Sequence, residues 1–172
     1  LRMVGANGDI TRKLMVSNVT EEIALDGGCP DWVMPNGGGT GYWRFNLDER
    51  SWQSLTENYQ RLSAGEQLAF ADSVTAAFSA GRLSAENLLT ALERNATGHW
   101  AAASDPLTNL ETYFDLLPSD DAKAQLTEYI ADAYGERWQA LSHTEASLLS
   151  EGDQLLRTAL ERTLLKTRAL PE

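Results

Sequence analysis

Cysteine is nearly absent from this chain: Cys29 is the single one among 172 residues. A disulfide within the chain is excluded, and so is a cysteine-rich zinc site. Histidine is almost as scarce, with His99 and His143 alone. Basic residues are outnumbered: 14 Lys and Arg against 25 Asp and Glu leave a formal net charge of -11. Such a chain repels phosphate backbones and anionic headgroups, so we expect no nucleic acid partner and no docking on an anionic membrane. Long apolar runs are missing too, and no stretch approaches the ~18 residues of a membrane-spanning helix. The opening LRMVGANGDITRK lacks the basic-then-apolar order of a signal peptide. It begins with Leu1 rather than Met, which raises the expectation of a fragment from a longer protein. One thiol is compatible with a cytoplasmic or an exported, periplasmic setting.

What is present is ample apolar material, 42% of residues, enough for a real core. It is written in two grammars. Up to residue 47 the runs are short and β-like: 11–18, 21–26, 31–36 and 41–48, separated by Gly, Asn and Asp. Four such strands alone make a thin sheet, so this half is expected to lean on something else. From Asp48 onward the pattern is helical. Ser63-Ala64-Gly65-Glu66 is a capping box, and Ser142-His143-Thr144-Glu145 has the same form. Asp48, Ser84 and Ser119 are candidate N-caps. Apolar stripes at helical spacing include Phe70, Val74, Ala77 and Phe78, then Leu107, Leu110, Phe114 and Leu117. Pro106 and Pro118 punctuate helix edges. The expected class is α+β: a short antiparallel β-sandwich portion over 1–47, then an all-α array of helical hairpins over 48–172.

The stretch PNGGGTGYWRFNLDE (35–49) invites a phosphate-loop reading. It fails on spacing. No lysine follows the glycines, and Tyr42 stands where G-x-G-x-x-G needs its third glycine. An aromatic run follows rather than a helix N-terminus, so the glycines read as a connection that permits positive φ.

As a whole the stretch is distinctive. Asp31-Trp32-Val33-Met34-Pro35-Asn36, the glycines, then Gly41-Tyr42-Trp43-Arg44-Phe45-Asn46-Leu47-Asp48 resembles the W-x-x-x-N-x-x-x-x-G-Y-Y-R-V-N-Y-D segment of M1-family zinc aminopeptidases, the gluzincins that include aminopeptidase N. Downstream, Trp52 and the run 62–92 are similar to the family's next helices, with Asp72, Gly81, Leu83 and Ser84 matching. Gln67 or a neighbour replaces the usual arginine, and Phe78 stands near the usual leucine. In that family the segment ends a small β-sandwich domain and leads into a C-terminal helical domain, usually longer than the one here. The resemblance implies a helical domain truncated at residue 172.

The same family catalyses with H-E-x-x-H, a further Glu, and a G-x-M-E-N segment that grips the substrate amine. None of these occurs in this sequence. The resemblance therefore implies no catalytic, cofactor-binding or metal-binding residue in this chain. Zinc is expected in a catalytic domain upstream, and that domain and its peptide substrates are the expected partners.

Other constellations weigh little beside their plain readings. His143-Thr144-Glu145 offers H-x-E without the P-C-x-x-C of zinc deaminases and reads as a helix start. His99-Trp100 reads as a loop or helix start packed through its tryptophan. Cys29 has no basic neighbour to lower its pKa. No G-x-S-x-G elbow exists. Asp120-Asp121 suits a helix N-terminus. Asn18-Val19-Thr20 and Asn95-Ala96-Thr97 are glycosylation sequons that matter only in a secreted eukaryotic protein. Trp32, Trp43, Trp52, Trp100 and Trp138 read as packing residues.

The expected function is a non-catalytic C-terminal region of a metallo-aminopeptidase, capping the cleft and shaping peptide access. Arg82, Arg94 and Arg137 are nominal candidates to meet the far end of a peptide. The alternative is a freestanding helical protein-binding module without activity. An incomplete β half is expected to expose an edge or apolar face and to promote self-association.

Overall fold

The computed structural model describes residues 1–6, 8–15, 17–24 and 28–170. The expected α+β class holds. Among the described residues the β part is one three-stranded antiparallel sheet, in the order β2-β1-β3. Its strands are β1 (Arg2–Gly5), β2 (Gly8–Thr11) and β3 (Trp32–Met34). β1 pairs Met3 with Ile10 on one side and with Val33 on the other.

The strand positions differ from the expectation. β1 was not anticipated at all, because RMVG is too short to show alternation. The run 11–18 contributes only Thr11, and its Val16 lies outside the described residues. In the run 21–26, residues 21–24 carry no regular structure, and Leu25 and Asp26 lie outside the described residues. The run 41–48 is not a strand. Phe45 and Leu47 pack into the core while Tyr42 and Trp43 stay exposed, and among the described residues no strand pairs with its backbone.

The helical part runs α1 (Glu49–Glu57), α2 (Ala64–Ser79), α3 (Ala85–Ala96), α4 (Trp100–Ser104), α5 (Leu107–Leu116), α6 (Asp120–Ser142) and α7 (Glu151–Thr167). Four anticipated caps are in place: Asp48, Ser63, Ser84 and Ser119 each accept an early backbone N–H. At Ser63 the box is complete, with the Glu66 side chain reaching back to the Ser63 N–H at 2.9 Å. The second expected box is corrected. α6 runs through Ser142, so 142–145 forms the end of one helix and not the start of the next. His143 is its C-cap, and Thr144 Oγ1 donates back to Ala140 O at 2.7 Å. α7 starts later, at Ser150, which accepts from Asp153 N at 3.1 Å.

α1 packs on β3, α2 on α3 and α4, α3 on α6, and α7 on α4, α5 and α6. One continuous core results, from Val4, Trp32 and Met34 through Phe70 and Leu92 to Leu160 and Leu164. The sheet is thus the end layer of the helical array. α5 and α7 run in the same sense: Arg162 and Thr163 bind Glu111, and Lys166 binds Asp115.

Candidate functional site

The junction between sheet and helices is held by a connected set of side-chain bonds. Its centre is Glu66, in the first turn of α2 and 1% exposed. The carboxylate takes Gly38 N at 3.0 Å, Ser63 N at 2.9 Å and the Arg2 guanidinium at 2.6 Å. Arg2 in turn grips Asp9 through Nε and Nη2, and donates to Arg61 O. Arg2 and Arg61 also lie on the Trp32 ring, 5.2 and 5.3 Å from its centroid. The three elements β1, β2 and α2 are therefore tied by one carboxylate and one guanidinium. The Asp9 carboxyl is held below its ordinary pKa, first by its hydrogen bond from Arg2.

This geometry answers the glycine-run question. Gly37–Gly39 is a single tight turn, with φ of +76° at Gly38 and +65° at Gly39. Its inner N–H is taken by Glu66, a carboxylate supplied by the chain itself. Next to it, Asn36 is 4% exposed and closes a reciprocal pair: its Nδ2 donates to Gly41 O at 2.7 Å, and its Oδ1 accepts from Gly41 N at 2.9 Å. Arg44 then pairs with Asp72 at 2.9 Å, and Phe45 N donates to Ser73 Oγ at 3.3 Å. Trp32, Asn36, Gly41, Arg44 and Asp72, separate letters in the sequence motif, are thus parts of one joint. Aromatic contacts run through it, Trp43 to Phe45, Phe45 to Trp52, and Trp52 to Phe70. Sequence reasoning missed Arg2 and the second role of Glu66. The capping box named Glu66, but nothing local signals a partner 64 residues away.

Beside the joint, α1, α2 and α3 enclose a groove of about 380 Å³. Its floor is apolar, from Trp52, Val74 and Ala91, and its rim carries Glu57, Glu86 and Arg94. The three nominal arginines part company here. Arg94 lines the groove. Arg137 is spent on an ion pair with Asp153 at 3.2 Å that fastens α6 to α7. Arg82 is exposed in the turn between α2 and α3.

His99 N-caps the short α4, and His143 caps the end of α6, so each is engaged with local backbone. Trp100 packs on Gly152 of α7, which has no room for a Cβ. Cys29 is exposed. Among the described residues, no group of three or more His, Cys, Asp or Glu could hold a metal ion. Asn18 lies exposed, whereas Asn95 is fully buried within α3 and closed to any glycan-transferring enzyme. Asp105, between α4 and α5, is half-buried, and its carboxyl is raised, mainly by burial and then by nearby Asp72.

No described helix is long and apolar enough to cross a membrane. Comparison with curated proteins and with solved structures gives no match. The family model for the ERAP1-like C-terminal domain matches residues 32–170, from β3 through the last turn after α7. That span covers the joint, the groove and every helix, and the chain belongs to the ERAP1-like C-terminal domain family.

Proposed function

We propose that this chain is the non-catalytic C-terminal region of a zinc metallo-aminopeptidase, an enzyme that removes residues from peptide N-termini. The observation that carries the reading is the family match over residues 32–170. The donor set agrees: the sequence lacks H-E-x-x-H, and its two histidines are engaged in helix caps. Among the described residues no cluster of His, Cys, Asp or Glu fits a zinc site, and the reading assigns the metal to a catalytic domain upstream. The role of this chain is then to cap the active-site cleft and to shape which peptides reach it.

Two features support that role. The joint around Glu66 fixes the sheet to α2 through part-buried, charge-assisted bonds, so the helical array moves with the sheet. The segment between β2 and β3 holds Leu14, Met15, Val19 and Ile23 exposed, an apolar surface suited to an upstream domain. The groove is the place where the helical part meets peptide. Its apolar floor takes a side chain, and Arg94 at the rim is placed to take a carboxylate.

A titration tests the groove. The isotope-labelled chain is followed by amide NMR while a decapeptide is added, once with a free and once with an amidated C-terminus. Shifts at Gln53, Glu86 and Arg94, stronger with the free acid, are expected. No shift at millimolar peptide, or shifts elsewhere, would remove the groove from the account.

A further inference from the structure

Asn36-Gly37 opens the glycine turn, and an asparagine followed by glycine carries a chemistry of its own. The Gly37 backbone nitrogen can attack the side-chain carbon Cγ of Asn36, because glycine has no side chain to bar the approach. The new Gly37 N–Cγ bond closes a succinimide ring. The Cγ–Nδ2 bond breaks, and ammonia leaves with the proton that Gly37 N gives up. Water then opens the ring. Cleavage of the N–Cγ bond yields aspartate. Cleavage at the main-chain carbonyl yields isoaspartate, whose backbone runs through the former side chain. Neither step needs an oxidant or a reductant.

The folded joint holds Asn36 out of this reaction. The residue is buried, and both ends of its side-chain amide are bound to the Gly41 backbone. Its main-chain carbonyl accepts from Gly39 N at 2.8 Å. Cγ cannot swing toward Gly37 N while these three bonds hold. Gly37 is no freer to approach. A Cβ on it would lie 3.0 Å from Arg2 N and 3.2 Å from Leu1 C, so the start of the chain packs against its backbone. On the other side, Gly39 rests on Gly65, and Gly38 N is taken by Glu66. The reactive pair is therefore clamped between β1 and the first turn of α2.

We propose that Asn36-Gly37 is a deamidation site gated by opening of the joint between sheet and α2, and that the modification keeps the joint from closing again. The products cannot rebuild the clamp. In the aspartate, an ionised oxygen replaces Nδ2 opposite Gly41 O, so two acceptors face each other where a donor bond of 2.7 Å stood. The isoaspartate adds a carbon to the backbone of a turn that is packed on both sides. Either change pulls Gly38 N away from Glu66 and frees the sheet from the helix. The proposal stands whether or not the peptidase reading does.

The test incubates the whole chain in mildly alkaline buffer, folded and in guanidinium, and maps its peptides by mass spectrometry. Mapping separates Asn36 from Asn7, the asparagine of the other Asn-Gly pair in the sequence. Aspartate and isoaspartate should form at position 36 in guanidinium, and at least about tenfold more slowly in the folded chain, where the joint must open first. Ser63→Ala loosens the cap beside Glu66, whereas Gly81→Ala acts at the other end of α2 with a comparable loss of stability. The first should speed the folded-state reaction more than the second. Asn36→Asp should melt below the parent. Equal rates in the folded and unfolded chain would overturn the gating. Equal acceleration by Ser63→Ala and Gly81→Ala would overturn it too, by making global unfolding the gate. An Asn36→Asp chain that melts with the parent would overturn the block on reclosing. The two rates of the unmodified chain decide the gating even where that variant fails to fold.

Discussion

Gly39 and Gly81 share a backbone conformation, with φ of +65° and +68°, but not their surroundings. A Cβ at Gly81 meets open space, so Gly81→Ala incurs only the left-handed penalty, about 1–2 kcal/mol. A Cβ at Gly39 would overlap the backbone of Gly65, so Gly39→Ala adds an overpacking cost of about 1–3 kcal/mol. At about 2–4 °C per kcal/mol for a chain of this size, thermal melts should rank Gly39→Ala well below Gly81→Ala. Equal melting temperatures would show that the glycine turn does not hold α2 as described. Asp105 makes a second residue-scale prediction. Its folded-state carboxyl is raised above the ordinary value, first by burial. Protonation therefore favours the folded chain. That contribution is full below the unfolded pKa and is lost as pH rises through the folded one. Asp105→Asn should melt higher than the parent at pH 7, and the gap should close toward pH 3. A gap that widens on acidification would reverse the sign of the argument. The Asp9 carboxyl, held low by Arg2, works oppositely, lending stability above its unfolded pKa that fades as pH falls.

At the scale of elements, Ser63 and Glu66 separate a cap from a joint. Ser63→Ala removes one cap acceptor, worth about 0.5–2 kcal/mol. Glu66→Ala removes the reciprocal cap, the Gly38 bond and the partner of the part-buried Arg2, a loss of about 2–4 kcal/mol, below the full cost of breaking a wholly buried pair. Urea unfolding of the two variants should show that difference, and similar midpoints would mean that β1 and the glycine turn are not anchored by Glu66. The helices and most caps were legible in the sequence because their signals are local: Asp48, Ser63, Ser84 and Ser119 act within three residues of themselves. The strands were not. β1 has four residues, and it forms because β2 and β3 flank it, which no window of sequence records. The aromatic run 41–48 looked like a strand because Tyr, Trp and Phe favour sheets, yet Phe45 is used to stack on Trp52. Ser142-His143-Thr144-Glu145 misled for a related reason: a capping pattern is only a start signal where the preceding helix has already stopped. In the candidate site, the motif letters Trp32, Asn36, Gly41 and Arg44 were visible, while Arg2 and the groove rim depend on contacts between distant segments.

At the scale of the molecule, a small sheet closes one end of a helical array, and a single carboxylate and guanidinium tie the two. The matched span of 32–170 contains the whole array and the last strand, whereas β1 and β2 precede it. Between β2 and β3, Leu14, Met15, Val19 and Ile23 stand exposed. The central claim is that this chain caps an aminopeptidase whose catalytic residues lie upstream. It is tested most directly by sequencing the reading frame upstream of the Leu1 codon in the source genome. The account predicts an uninterrupted frame of several hundred codons that encodes H-E-x-x-H and a later Glu. A start codon just before Leu1, with no such motif, would contradict it and leave a freestanding helical binding module.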